Sequence, residues 1–585
     1  MLPVWNLKDF YSDYKSNEIE NDLKKLQDQS LEFSKKYQTK IASLTSEELY
    51  EAISDYEKLQ ELCGKLLSYA ELYHAQDMSN DTIAAFYQTV QEKVNSLSSQ
   101  ILFFNIELNK IEDQMFEHHI NSTALLHYKS WLKELRLFRA HQLSEEIEKL
   151  LYERSIVGRA SWVRLFNETI TSIKINLNQK TLSLDETLNL LSNKDEDQRR
   201  QAGEQISKAL ARHIKTFSLI TNVLAKDKEI DDTWRHYPHP LAARNLSNQV
   251  EDKTVEILVN TVIDFWPRLS HRYYKLKAQL LKKEHLNYWD RLAPFPFEDD
   301  QNISWDTAKN IVLESYTMFS PEMAKIGKRF FDNNWIDAAL RPGKSPGAFA
   351  HPTVPSLHPY LLVNYHGKSR DVMTLAHELG HGVHQMLAAK QGMLLSDTPL
   401  TLAETASVFG EMLVFRKLLS QTIDPKARFI LLASKIEDML NTVVRQIAFH
   451  EFERQIHMKR RKSELTPEQI GEIWLDIQKR SLGPVFQFHT DYQYYWSYIP
   501  HFIHTPFYVY AYAFGDCLVN SLYAVYQKDN KNFIPKYFMM LEAGGTKRYD
   551  ELLESFDLQP KDPLFWANGL KIVEQLIDEL ASIKL

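Results

Sequence analysis

Apolar residues recur along much of this chain at the three-to-four-residue spacing that places them on one face of an α-helix. One such stripe falls at Leu59, Leu62, Leu66, Leu67, Ala70 and Tyr73. No heptad persists over three or four repeats, so the pattern favours a packed helical bundle over a coiled coil. Helical signals dominate residues 17–120, and a polar turn at Ser192 leads into an amphipathic helix that continues to Lys215.

Three segments interrupt the helical pattern. Residues 229–250 and 285–305 are rich in Pro, His, Asp and Asn, which predicts loops. Residues 341–367 are rich in proline and glycine around the β-rich run PYLLVNY, which predicts a loop and a short strand. They lead into a helix predicted at about residues 370–390, with Ser369 as its N-cap.

Composition narrows the class of protein. The 585 residues are 44% hydrophobic and 25% charged, as is typical of a folded globular protein. Glycine and proline are scarce, which favours long helices. A chain of this length usually divides into more than one packing unit. A net charge of −8 argues against a nucleic-acid partner. The chain lacks a membrane-length apolar run and a signal-peptide pattern, so we expect no membrane association and a cytoplasmic location. Cys63 and Cys517 are expected to be buried free thiols.

Residues 377–387 read HELGHGVHQML and lie in the predicted helix. His377 and His381 are four residues apart, so their imidazoles lie on the same helical face and can bind one zinc ion. Glu378 lies beside the first histidine, where it can hold the attacking water without binding the metal itself. His384 is a further candidate ligand, but its ring is displaced around the helix.

The third protein ligand is sought in the segment TLAETASVFGEML, predicted to form one amphipathic helix. Glu404 and Glu411 are seven residues apart and share a face of that helix. Glu404 is either a metal ligand or the partner of Thr401 in a capping box. Glu411 either orients a histidine or is an exposed acid. Gly380 costs a helix about 1 kcal/mol relative to Ala, which close packing of a neighbouring element would explain.

Several segments together resemble the oligoendopeptidase F branch of the thimet oligopeptidase family of zinc metallopeptidases. They are PGAFAHPTVPSLHPYLLVNYHGKSRDVMTLAHELGHGVH, TLAETASVFGEML, VVRQIAFHEFE, IPHFIHTPFYVYAYAFG and LEAGGTKRYDELL. The opening WNLKDFYSDYKSNEIENDLKKL is similar as well, so the resemblance covers nearly the whole chain. It implies a mostly α fold, a large helical ellipsoid that encloses a deep active-site channel, with a small β-sheet next to the HExxH helix.

The resemblance also assigns domains and the metal site. We expect an N-terminal helical domain at residues 1–115 and the metallopeptidase domain at residues 116–585. The resemblance implies that His377, His381 and Glu404 hold one Zn²⁺ per chain. It further implies that Glu378, beside His377, is the catalytic acid and base.

The resemblance also implies an active-site histidine, matched by His501, and tyrosines in residues 499–515. Thr505-Pro506 predicts a helix start, in which Tyr508 and Tyr512 share a face. We therefore predict Tyr508 first and Tyr512 second as donors to the oxyanion. Tyr510 lies on a different face of that helix, and it could instead be a residue of the hydrophobic core.

The resemblance implies hydrolysis of internal bonds in short unstructured peptides. The strand PYLLVNY is a candidate to bind an extended peptide by edge pairing, through Tyr360, Leu362 and Asn364, with a purely structural strand as the alternative. A zinc exopeptidase, or a helical scaffold protein with a non-catalytic HExxH, is the competing function. The sequence assigns no oligomeric state, and a His-His-Glu site selects only weakly among Zn, Mn and Co.

Overall fold

The computed structural model describes residues 2–155, 157–297 and 302–584. They are mostly α-helical, as predicted, and the chain divides into two compact units, each built from separated segments. Unit 1 comprises Met1–Arg139, Asp300–Gln421 and Val525–Leu558, and unit 2 comprises Ala140–Asp299, Thr422–Ala524 and Gln559–Leu585. The boundary expected at residue 115 falls inside the first segment of unit 1, and the two-domain division stays a prediction.

The helices and strands follow the alternation of the two units along the chain. Unit 1 opens with α1 (Asn17–Tyr37), α2 (Ser46–Gln76), α3 (Asp81–Gln100), α4 (Phe103–Lys110), α5 (Asp113–Ile120) and α6 (Lys129–Leu137). Unit 2 opens with α7 (Glu145–Arg154), α8 (Arg159–Ser172), β1 (Lys174–Leu177), β2 (Lys180–Ser183), α9 (Leu184–Asn189), α10 (Glu196–Trp234), α11 (Ala242–Ser247), α12 (Asp252–Phe265), α13 (Ser270–Leu280) and β3 (Leu286–Asn287).

The second half of the chain alternates in the same way. Unit 1 continues with α14 (Trp305–Phe319), α15 (Pro321–Asp332), β4 (Ile336–Asp337), β5 (Phe349–His351), β6 (Tyr360–Leu362), α16 (Ser369–Ala388), α17 (Leu400–Ala403) and α18 (Ser407–Gln421). Next come α19 (Pro425–Thr442), α20 (Val444–Arg460), α21 (Pro467–Leu482), β7 (Phe486–Gln487), α22 (His501–His504) and α23 (Tyr510–Lys528). The chain closes with α24 (Asn530–Glu542), α25 (Tyr549–Glu554) and α26 (Pro563–Ser582).

One predicted helix extends further than the sequence pattern indicates. The helix expected from Ser192 to Lys215 is α10, which runs for 39 residues to Trp234, because buried apolar positions continue through Leu224 and Ala225. The start of the loop predicted at residues 229–250 is therefore helical, and α11 lies within that segment. In the second predicted loop, residues 298–301 lie outside the described part of the chain, and β3 is an additional short strand.

Two further predictions concern the oxidation state of the cysteines and the presence of membrane-spanning helices. Cys63 and Cys517 are both buried and free, as expected. Among the residues that the structure describes, no helix combines the length and the apolar character needed to cross a bilayer.

A small sheet lies next to α16, with strand order β4-β6-β5. The central strand, β6, pairs in parallel with β4 and antiparallel with β5, and Tyr360 and Leu362 are fully buried. Asn364 Nδ2 donates hydrogen bonds to the carbonyl oxygens of Ser345 and Gly347. Peptide binding by edge pairing at Tyr360 and Leu362 is wrong, because both edges of β6 already pair within the sheet, which favours the structural alternative. Asn364 follows the strand, and its role in substrate binding stays a prediction.

In unit 1, α16 packs directly against α18. A Cβ atom at Gly380 would lie 2.4 Å from the carbonyl oxygen of Ala406 and 2.7 Å from Ser407 Cα. The close approach expected at this glycine is therefore confirmed, and the approaching element is the backbone that begins α18. On α14, the hydroxyl of Tyr316 donates a 2.7 Å hydrogen bond to the carbonyl of Ala376, which ties a third helix to the pair.

Gly380→Ala tests this contact. The new methyl group would collide with main-chain atoms that cannot move aside alone, so we expect a loss of stability of about 1–3 kcal/mol and a lower thermal midpoint. Gly327→Ala on α15 is the matched control, because its Cβ would meet only the side chains of Leu379 and Tyr316, at 3.2 Å or more. Calorimetry of both variants makes the comparison, and equal midpoints would contradict the packing account.

Candidate metal centre

The helix that carries the candidate ligands begins at Ser369. Its N-cap is Lys368, one residue before the predicted cap, so that prediction is wrong by one position. The carboxylate of Asp371 accepts hydrogen bonds from the backbone N–H groups of His366 and Lys368, at 2.8 and 2.9 Å. This first-turn acid therefore satisfies backbone donors at the helix start and fixes where α16 begins.

Three side chains converge on one point beside α16. The Nε2 atoms of His377 and His381 lie 3.3 and 3.4 Å from Oε2 of Glu404. In a tetrahedral site with ligand bonds of about 2.0–2.1 Å, neighbouring ligand atoms lie about 3.3 Å apart. Within the described residues, this is the one group of three that could hold a metal ion, and its donors fit zinc.

Glu404 occupies a break between helices. The predicted single helix is divided into α17 and α18, and Glu404 follows the last residue of α17. Pro399 is the N-cap of α17, so Thr401 lies inside the helix and cannot form the capping box that was the alternative for Glu404. Instead, Ser407 Oγ donates a 2.6 Å hydrogen bond to Glu404 Oε2, which fixes the orientation of the carboxylate.

Glu411 contacts the other nitrogen of His377. Its Oε2 lies 3.1 Å from Nδ1, and its side chain is only 16% exposed, which argues against the exposed-acid alternative. A hydrogen bond from Nδ1 to a carboxylate leaves the lone pair of Nε2 directed at the point that His381 and Glu404 share. Glu404 and Glu411 therefore approach His377 from opposite ring nitrogens, although a helix break separates them in the chain.

Neighbouring charges shift the pKa values of His377 and Glu404 in opposite directions. Burial disfavours the charged form of His377, but hydrogen bonds to Glu404 and Glu411 outweigh it and hold its pKa well above the ordinary value. Burial disfavours the ionised form of Glu404, and the two histidines overcome that effect, so its pKa is well below its usual range. His377 and Glu404 are therefore an imidazolium and a carboxylate, and a divalent cation can replace the proton of the imidazolium.

Glu378 differs from the other acids of the cluster. Its side chain is buried, and burial raises its pKa despite the opposing charges of His377 and His381. A carboxyl group with a raised pKa can accept a proton and return it near neutral pH.

His384 lies away from the converging group. It is 5% exposed, and its Nε2 lies 3.5 Å from Thr398 Oγ1. Burial, with a smaller contribution from the charge of His381, lowers its pKa to about 4. His384 is therefore a neutral buried neighbour of the ligand group.

A cavity of about 350 Å³ opens beside His381 within unit 1. That volume is in the range of small-ligand pockets. Apolar side chains contribute much of its wall, and the polar groups include His384, Gln385 and Asp397. The apolar part of the lining is formed by Pro352, Val354, Pro355, Leu357, Pro359, Met386, Ala389, Met393 and Ala403.

In unit 2, the predicted histidine and tyrosines lie together. Tyr512 Oη is 3.5 Å from His501 Nε2, and the rings of Tyr508 and Tyr512 are 5.2 Å apart. Tyr510 is fully buried and its hydroxyl accepts a hydrogen bond from Asn248. Burial, followed by the charge of Arg445, lowers the pKa of His501, so its imidazole is neutral at pH 7.

The helix predicted to begin at Thr505-Pro506 begins instead at Tyr510, so that prediction is wrong. Phe507 has φ +57°, a left-handed conformation that is incompatible with a helix running through this residue. Its backbone N–H donates a 3.1 Å hydrogen bond to Oε1 of Glu453, which is 2% exposed. Glu453 therefore holds the turn that carries Tyr508.

Sequence reasoning assigned no role to Glu453. The available signal is its place on α20, three to four residues from Phe449 and Ile456, which are both buried. An acid on an otherwise apolar face needs a buried partner, and here that partner is the turn at Phe507.

The sequence also matches known families. A family model described as Peptidase family M3 matches residues 189–572, well over half of the chain. The chain belongs to peptidase family M3. A second model, described as Oligopeptidase F, matches residues 107–175 of this M3 peptidase. The resemblance drawn from the sequence is thereby confirmed, and the metal dependence of the family agrees with the His-His-Glu group.

Named relatives cover nearly all of this M3 peptidase. It is 28% identical to Oligopeptidase PepF of Bacillus subtilis (strain 168) over an alignment of 594 positions. The alignment covers 99% of this chain and 87% of that protein. A crystal structure from Chlamydophila abortus has a TM-score of 0.87 at 22% identity and covers 99% of this chain and 98% of its own. Oligoendopeptidase-F from Enterococcus faecium has a TM-score of 0.73 at 21% identity, with coverage of 97% and 99%. These two structures confirm the mostly α fold.

The carboxyl of Glu453 predicts a pH dependence of stability. Burial raises its pKa to about 8, so between about pH 5 and pH 8 the folded chain holds one proton more than the unfolded chain. Stability therefore falls as the pH rises through that window, because unfolding releases the proton that the raised pKa of Glu453 retains in the folded chain. We expect Glu453→Gln to show a smaller fall in thermal midpoint than the wild type between those pH values.

Glu451→Gln is the matched control, because Glu451 pairs with Arg454 and its pKa is lowered, outside the window. It should keep the wild-type slope, whatever its effect on the midpoint itself. A Glu453→Gln slope identical to that of the wild type would contradict the assignment.

Proposed function

We propose that this M3 peptidase is a zinc-dependent oligoendopeptidase that cleaves internal bonds of short unstructured peptides in the cytoplasm. The observation that carries the proposal is the convergence of His377 Nε2 and His381 Nε2 on Glu404 Oε2, with the buried acid Glu378 adjacent in sequence. Membership of a peptidase family favours this function over a scaffold with a non-catalytic HExxH.

The residues that would hold one zinc ion are His377, His381 and Glu404. Their donor spacing supports this role, and the hydrogen bond between Glu411 and His377 Nδ1 would orient the first ligand. Bound there, zinc would supply a Lewis acid that polarises the scissile carbonyl and lowers the pKa of water.

Glu378 is assigned the proton transfers. Its carboxylate accepts a proton from the attacking water, and the resulting carboxyl returns that proton to the departing amine. Burial raises its pKa, which favours the protonated form needed for the second step. Neutral His501, with Tyr508 and Tyr512, is assigned to donate hydrogen bonds to the oxyanion, on the strength of the family resemblance and of their mutual contacts.

Substrate binding is assigned to β5 and the neighbouring cavity. β5 is an outer strand of the sheet, so the main-chain groups of its second edge can pair with an extended peptide. Such pairing does not depend on the side chains of the peptide. The cavity of about 350 Å³ beside His381 has the size and the apolar lining to receive one side chain. This arrangement replaces the earlier assignment to the central strand β6.

The ligand assignment predicts a graded loss of zinc. Glu404→Ala removes a ligand and should abolish tight binding, whereas Glu411→Gln removes an orienting partner and should weaken binding by about 10–100-fold. His384→Ala should keep wild-type affinity, because this side chain lies outside the ligand group. Competition with a chromogenic chelator measures all three, and wild-type affinity in Glu404→Ala would exclude it as a ligand.

Glu378→Gln separates metal binding from catalysis. We expect the variant to bind one zinc ion per chain and to lose about 10²–10⁴-fold in kcat, because the amide cannot accept the proton. The assay uses internally quenched peptides of graded length, with products identified by mass spectrometry. Normal cleavage by the zinc-loaded variant would exclude this mechanism, and release of single terminal residues only would make the enzyme an exopeptidase.

A further inference from the structure

Unit 2 contains a second, much smaller cavity, of about 30 Å³. It lies among α13, α20, α21 and a 3₁₀ segment, Thr490–Tyr498. Arg291 and Arg445 both line it, and none of its lining residues carries a carboxylate. The metal ligands and Glu378 are not among the lining residues, so this cavity needs an explanation of its own.

Neither arginine has an acidic partner among the described residues. Arg445 contacts the ring of Phe449, with its guanidinium carbon 4.9 Å from the ring centroid, and makes no ion pair there. Arg291 donates a 3.0 Å hydrogen bond to Oδ1 of Asn441, which is neutral. A guanidinium has five N–H donors, so most of the donors at this cavity lack a charged acceptor within the described part of the chain.

Two further donors at the same cavity lack a partner. Gln478 Nε2 and Trp474 Nε1, both on α21, are buried without a hydrogen-bond acceptor. Gln478 is 5% exposed and Trp474 is 2% exposed, so bulk water does not compensate them. A buried donor left unsatisfied costs about 1–3 kcal/mol, and two such donors beside two guanidinium groups indicate that an acceptor belongs here.

Electrostatics point the same way. Burial lowers the pKa of Arg445, and the nearby positive charge of Arg291 lowers it further. The pKa of Arg291 is raised instead, because the tyrosines beside it, Tyr274 first, outweigh burial. Like charges held in one poorly solvated cavity repel each other, and an anion between them would remove most of that repulsion. Tyr274, Tyr492 and Tyr498 also line the cavity. A tyrosine hydroxyl can donate to an anion, and that of Tyr274 can do so while its oxygen accepts a hydrogen bond from Arg291.

We propose that this cavity binds one small monovalent anion between Arg291 and Arg445, with Gln478 and Trp474 as additional donors. Its volume of about 30 Å³ holds about two water-sized species, which excludes a peptide or a nucleotide. A halide ion, or the carboxylate of an acid as small as formate, has the charge and the size that the site requires.

Chloride binding to the zinc-loaded full-length enzyme tests the proposal. The line width of ³⁵Cl in NMR is measured during titration of chloride-free protein, with gluconate holding the ionic strength constant. We expect excess broadening by the wild type. Arg445→Gln should weaken binding at least tenfold, because it removes charge-assisted hydrogen bonds.

Two further variants separate the site from other effects. Gln478→Leu preserves side-chain size better than truncation and should weaken binding several-fold, which keeps the test valid when an arginine variant folds poorly. Arg480→Gln is the control on the same helix, since Arg480 is exposed and lies near Asp476 outside the cavity. It should bind chloride as the wild type does.

A formate arm identifies the source of the anion. Formate that sharpens the chloride line, or that itself binds in an Arg445-dependent way, shows that the site accepts a carboxylate, whereas chloride binding without competition shows a halide site. Chloride held by zinc alone would broaden the line equally in the wild type and in Arg445→Gln. That equality, together with no Arg445-dependent binding of formate, would overturn the proposal.

Discussion

The candidate metal centre depends on one backbone contact, where the residues that begin α18 lie directly against α16 at Gly380. The carbonyl of Ala406 and the Cα of Ser407 occupy the space that a side chain at position 380 would fill. Glu404 precedes this contact by two residues, and the histidines lie three positions before and one position after the glycine. A larger residue would therefore move the third candidate ligand away from the other two, although it would leave the HExxH motif intact.

Charged and hydrogen-bonded side chains hold the candidate ligands in the positions that helix packing gives them. Glu404 and Glu411 approach opposite nitrogens of His377, and Ser407 holds the carboxylate of Glu404 in place. Ionised groups are costly to bury unless each has a partner, and a divalent cation can neutralise the carboxylates more fully than the histidines alone. In unit 2 the charge of Arg445 has a comparable influence, because after burial it is the largest effect that lowers the pKa of His501.

The sequence predicted the features that local geometry determines. The four-residue spacing of His377 and His381 places them on one face of any α-helix, and the glycine between them signalled a close neighbour. Features set by distant contacts were missed. The break before α18 depends on packing against α16, and the turn at Phe507 depends on a buried acid on another helix. The central position of β6 depends on β4, which has two residues and no recognisable strand pattern.

X-ray absorption at the zinc K-edge, on the zinc-loaded enzyme, tests the coordination of the metal most directly. The account predicts two imidazole nitrogens at about 2.0–2.1 Å, with the remaining ligands oxygen, and a spectrum that is unchanged in His384→Ala. A third imidazole in the fit, lost in that variant, would contradict the assignment of Glu404. A sulfur ligand from Cys63 or Cys517 would contradict the whole centre.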